Sequence, residues 1–137
     1  LTQLLSGKLP GTPRVGFGIV DVRDVAAAHV LAMTNPAAAG ERFLVCDKFM
    51  WFSEVADTLR GQIPAAYEKK LPKGELPGWV LKLMASINPA VKQVIPELNR
   101  ERNVSNEKAR RVLGWQPRTA EEAIISGAKS LIAHKAV

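Results

Sequence analysis

Few residues in this 137-residue chain could do chemistry. The single cysteine, Cys46, closes an apolar run, where a thiol behaves as a small hydrophobe rather than a nucleophile. His29 and His134 lie far apart, with no cysteine or paired carboxylate at ligand spacing, so no metal site is expected. Gly16-Phe17-Gly18 invites comparison with a phosphate-cradling loop, but no glycine follows three residues on. Gly7-Lys8 lacks the upstream glycine and the trailing Ser or Thr of a P-loop. Ser6 and Ser53 have no histidine at a suggestive spacing. Two close carboxylates remain. Asp24 stands where a helix N-cap belongs. Asp21 alternates with Val20 and Val22, so its side chain points away from theirs and can meet a ligand or a loop.

The elements that carry these residues follow from periodicity. Residues 17–22 predict a short β-branched strand, and Asp24 to Met33 an Ala-rich helix ended by Asn35-Pro36. Residues 41–46 predict a second strand, apolar enough to be covered on both faces. Ser53 is expected to cap a helix with Val55, Ala56 and Leu59 buried, ending at Gly61. Residues 69–72 read as a short edge strand, because Pro72 cannot donate to a ladder. Pro77-Gly78-Trp79 opens a helix whose buried face would be Leu76, Val80, Leu83, Met84 and Ile87. Asn88-Pro89 breaks it, and a further turn or two runs through Val94. Ser105 caps a helix to Leu113, with Gly114 at the left-handed position, Trp115 as its apolar contact and Pro117 as the stop. Thr119 and Glu122 form a capping box for a last helix that buries Ala120, Ile124, Ala128, Leu131 and Ile132. The fold class is α/β, in one domain over 1–137, with too few strands for an independent doubly wound sheet.

Composition narrows the partners. Net charge is +6, and the basic stretches at Lys69–Lys73 and Arg100–Arg111 invite a nucleic-acid reading. In the second, Glu97, Glu101 and Glu107 are interleaved as on a solvated helix face. The last two helices mimic a helix-turn-helix, but its reading end would carry Glu121 and Glu122, which phosphates repel, so no nucleic-acid partner is expected. One cysteine excludes an internal disulfide and fits a cytoplasmic setting. No apolar run reaches the roughly 20 residues of a membrane span, so no membrane partner is expected. Leu1-Thr2-Gln3-Leu4-Leu5 reads as the end of a helix, and the chain as a fragment or processed piece. Exposed sheet edges would leave room for self-association or for a non-catalytic interaction role.

Three stretches carry a resemblance. Gly18-Ile-Val-Asp-Val-Arg-Asp-Val-Ala-Ala-Ala-His-Val-Leu-Ala-Met33 resembles the strand and "A-H" helix that follow the catalytic region in the extended short-chain dehydrogenase/reductase superfamily. Glu41-Arg-Phe-Leu-Val45 resembles its next strand, and Lys108–Pro117 with Glu121-Glu-Ala-Ile124 its C-terminal ending. The flavour is nearest the dihydroflavonol-reductase-like and epimerase/dehydratase branches. The resemblance implies a Rossmann-like C-terminal part: a mostly helical substrate-binding lobe with the last strands of a cofactor domain. It implies NAD or NADP in the parent protein and a small carbonyl or alcohol substrate. The family's Gly-x-x-Gly-x-x-Gly loop and Tyr-x-x-x-Lys pair have no counterpart, since Leu71 stands four residues after Tyr67, the only tyrosine. No catalytic or cofactor-binding residue is therefore expected in this chain, and none of its own cofactor. By the same resemblance Phe17, Gly18 and Ile19 would line the substrate pocket, and Trp79 and Met84 its outer wall. With Asp21 they make up the expected site.

Overall fold

The computed structural model describes residues 1–87, 89–102 and 104–137, without the side chains of Lys82, Ala85, Ile87, Pro89, Ala90 and Gln93. In chain order its elements are α1 (Thr2–Leu5), β1 (Gly16–Ile19), α2 (Val22–Thr34), β2 (Lys48–Trp51), α3 (Phe52–Leu59) and α4 (Ala65–Glu68). They continue with α5 (Gly78–Ile87), α6 (Pro89–Val94), α7 (Glu107–Leu113) and α8 (Ala120–Ala133). The fold is α/β and mostly helical, around one antiparallel pair of strands.

β1 and β2 pair from Gly16 opposite Trp51 to Ile19 opposite Lys48. Directly opposed residues share a face, so Phe17 and Ile19 lie with Met50 and Lys48, and the two glycines with Phe49 and Trp51. The glycines are needed for room. A Cβ on Gly16 would stand 2.0 Å from the tip of the Phe49 ring, and one on Gly18 2.7 Å from the Cys46 sulfur.

Two cores result. Met50, Leu4, Leu5, Val55, Leu59, Ile63 and Leu71 pack with Ala120, Ile124 and Ala128, which clamps α1 and α3 against α8. Ala28, Ala109, Leu113 and Trp115 form the second, between α2 and α7, with Val20, Phe43 and Val45 against it.

Several boundaries differ from the sequence reading. β1 stops at Ile19 because Asp21, not Asp24, is the N-cap of α2: its carboxylate accepts from the main-chain N–H of Arg23 at 2.9 Å. The strand expected at 41–46 is absent, and Lys48–Trp51 is the segment that pairs with β1. An extended segment becomes a strand only where a ladder partner is in reach, and among the described residues no backbone hydrogen bond is donated by Arg42, Phe43, Leu44, Val45 or Cys46. Residues 69–72 form a turn after α4, with Leu71 buried in the first core; the nearby bridge joins Thr12 to Glu75. Trp51 occupies the N-cap of α3, where the Glu54 carboxylate accepts its N–H at 2.7 Å. Asn106 precedes α7, with Ser105 Oγ accepting the Glu107 N–H at 3.3 Å. Among the described side chains of α5, Leu81 is buried, while Leu83 and Met84 are exposed; the Asn88 break and the Ile87 side chain fall outside the described residues.

The C-terminal signals hold. Gly114 has φ +66°, and Thr119 and Glu122 exchange the two capping hydrogen bonds. Of the predicted α8 stripe, Ala120, Ile124 and Ala128 are buried, and Leu131 and Ile132 pack partly buried against them.

A candidate substrate-side site

The strand-to-helix junction places Asp21 first. Its carboxylate takes a fork from Arg23, Nε at 2.9 Å and Nη2 at 2.6 Å. That hydrogen-bonded guanidinium, aided by the main-chain bond and the charge of Arg118, holds the acid well below the ordinary aspartate range despite burial. Asp21 lines a groove of about 400 Å³ with Val20, Arg23, Ala123 and Ser126. Its oxygens are largely committed to the cap and to Arg23.

The other expected site residues do not gather around it. The Phe17 ring is half-exposed and meets Phe52 edge-on, centroids 6.2 Å apart. Gly18 lies under Cys46, and Ile19 packs half-buried against the first core. Trp79 and Met84 sit exposed on α5, and neither lines a described cavity.

A second cavity, about 270 Å³, opens between the Pro13–Val15 segment and the start of α5. Its apolar wall is Leu76, Pro77, Leu81 and Leu98, and its polar end is Arg14 with Glu75. The Arg14 guanidinium lies 4.9 Å from the centroid of the Trp51 ring and its Nη1 3.6 Å from a Glu75 oxygen. The other Glu75 oxygen accepts from Ser53 Oγ at 3.0 Å. Sequence reasoning passed over Arg14, which sits in a Pro-rich loop; its partners Trp51 and Glu75 come from distant parts of the chain, so no local signal marked it.

Asp24, expected as a cap, is instead a long-range tie. Its buried carboxylate accepts from the main-chain N–H of Arg118 at 2.8 Å and from the Arg118 guanidinium. Its main-chain carbonyl accepts the Trp115 indole N–H at 2.8 Å. The Trp-x-Pro-Arg turn is thereby bolted to α2.

These residues do not fit a dinucleotide. The Gly16-x-Gly18 backbone, where a pyrophosphate would need close approach, is covered by the Phe49 ring and the Cys46 thiol. The N-terminus of α2, the usual phosphate seat after a strand, is capped by an anion, Asp21. Among the described residues there is also no cluster of three metal-ligating side chains, and no helix long and apolar enough to cross a membrane.

A mixed α/β lobe with this junction and this Trp-anchored ending is similar in sequence to reductases of the extended short-chain dehydrogenase/reductase type and shares their fold. No family model matches the chain. A Candida albicans protein assigned as an NADPH-dependent methylglyoxal reductase is 27% identical over 120 residues, 84% of this chain and 30% of that protein. Cinnamoyl-CoA reductase CAD2 of Medicago truncatula is 43% identical over 53 residues, 39% of this chain and 16% of that one. In fold, the chain superposes over its whole length on yeast methylglyoxal/isovaleraldehyde reductase solved with NADPH, at TM-score 0.70 and 24% identity, covering 40% of that structure. The chain thus spans well under half the length of the relatives it matches.

Proposed function

We propose that this chain is the substrate-binding lobe of an NAD(P)-dependent carbonyl reductase, NADPH being the cofactor named for its relatives. The nucleotide and the Tyr-x-x-x-Lys pair are then supplied by a cofactor domain that docks on it. The observation that carries this reading is the bare segment Arg42–Cys46. It is extended, its main-chain N–H groups find no backbone acceptor among the described residues, Phe43 and Val45 pack inward, and Leu44 is left exposed. Beside it, α2 shows solvent an apolar face of Val22, Ala26, Val30 and Met33. Unpaired edge and bare helix face are what a missing neighbour strand and its covering layer would bury.

The test has two arms. The 137-residue chain alone is titrated with NADPH and assayed on small aldehydes; no turnover is expected. It is then coexpressed with the remaining part of a relative, cut just before the matched region, and NADPH-dependent aldehyde reduction should appear in the copurified complex. Turnover by the chain alone, or no association with the cofactor part, overturns the reading. Stable self-association through the same edge would favour the alternative, a non-catalytic interaction module.

A further inference from the structure

The cavity at Arg14 has chemistry that the junction lacks. The guanidinium is oriented by the face of Trp51. Among the described residues its planar fork of donors makes no hydrogen bond. Glu75 stands at 3.6 Å, close enough to cancel the charge and too far for a direct hydrogen bond. Ser53 holds that carboxylate from behind. Among the lining residues the polar end therefore sets the Arg14 donors beside the Glu75 acceptor with their charges offset, Asn99 adjoins the wall, and leucines follow directly.

We propose that this cavity takes the body of the substrate, and that the Arg14–Glu75 pair selects neutral hydroxy-carbonyl compounds over carboxylates. The inference rests on the reductase reading above and names its substrate class. A ligand carbonyl oxygen accepts from Arg14, a neighbouring hydroxyl donates to Glu75, and an aryl or alkyl body lies against Leu76, Leu81 and Leu98. A carboxylate placed on Arg14 meets the Glu75 anion within a few ångströms. Glu75 offsets the attraction of Arg14, so the pair repays little of the carboxylate's desolvation, and binding is weaker than that of a neutral ligand by about 10-fold at low salt.

The test is a titration of the nitrogen-15-labelled 137-residue chain with phenacyl alcohol and with mandelate, two aryl probes of similar size, the first neutral and the second an anion. No nucleotide is present, so a failure here leaves the turnover test of the preceding subsection standing, and the reverse. Phenacyl alcohol should shift the amides of Leu76, Leu81 and Leu98, with mandelate about 10-fold weaker. Glu75→Gln, which keeps an acceptor for Ser53, should bring mandelate up to the affinity of the alcohol. Arg14→Met should weaken the alcohol several-fold and leave the dispersed spectrum of a folded chain. Equal binding of the two probes to the unaltered chain, an unchanged ratio in Glu75→Gln, or shifts that bypass these amides overturns the proposal.

Discussion

Replacing Asp24 with alanine removes the bolt between α2 and the C-terminal third. The carboxylate is 7% exposed and meets Arg118 twice, through the main-chain N–H at 2.8 Å and through the guanidinium. A hydrogen bond to a charged group contributes about 1.5–3 kcal/mol. Orphaning one member of a fully buried pair costs about 3–5 kcal/mol. The Arg118 side chain is 43% exposed, so it regains water and the pair falls short of that limit. The Arg118 main-chain N–H is part-buried and loses its acceptor, which adds to the cost. The expected loss is about 2–3 kcal/mol, or about 1–1.5 M in urea midpoint for an m-value near 2 kcal/mol/M. Asp24→Asn keeps an acceptor for the main-chain N–H and should lose about half as much. Urea unfolding followed by tryptophan emission measures both, because Trp115 is 1% exposed and bonded to the Asp24 carbonyl. An Asp24→Ala transition within about 0.5 kcal/mol of the parent, the scatter of ordinary surface changes, would refute the clamp.

Alanine at the two β1 glycines should separate a yielding neighbour from a fixed one. In Gly16→Ala the new methyl meets the tip of the Phe49 ring, which can swing outward, so near-ultraviolet dichroism changes with little loss of stability. In Gly18→Ala it meets the buried Cys46 sulfur, and overpacking should cost about 1–3 kcal/mol; equal costs at both sites would contradict this. The acid limb of stability should depend on Asp21. Its folded pKa lies below the unfolded one, so its contribution is complete above the ordinary aspartate range and is lost as pH falls through that range toward the folded value. Asp21→Asn should lower stability at neutral pH and flatten the decline below about pH 4, measured by urea titrations along a pH series; parallel curves would remove Asp21 from that role.

What the sequence disclosed depended on reach. The Gly114 turn and the Thr119–Glu122 box are made by residues a turn apart, and both were legible. The same grammar could not rank Asp21 against Asp24. Both stand at a plausible cap, and only Arg118, brought from the far end of the chain, claims Asp24. Residues 42–46 are more apolar than Lys48–Trp51 and read as the better strand, yet β1 pairs with the latter. Pattern gives a segment's preference for being extended, not the identity of its partner. The candidate site suffered most. Phe17, Gly18, Ile19 and Asp21 are neighbours in sequence, but Gly18 faces away from Phe17 and Ile19, and Asp21 lies past the strand in the cap of α2. Arg14 gains its meaning only from Trp51 and Glu75, which the fold delivers.

The first core also orders events in time. Leu4 and Leu5, fully buried, and Leu59 of α3 rest on Ala120, Ile124 and Ala128 of α8. During synthesis these leucines are made before the α8 residues on which they pack. Leu4 and Leu5 therefore lack their α8 partners until α8 has emerged, and the contact that closes this core joins residues more than a hundred positions apart. Such long-range closure slows folding and lengthens the interval in which an unpaired edge can aggregate. A nascent chain stalled before Thr119 should bind holdase chaperones far more strongly than one stalled beyond Ala133.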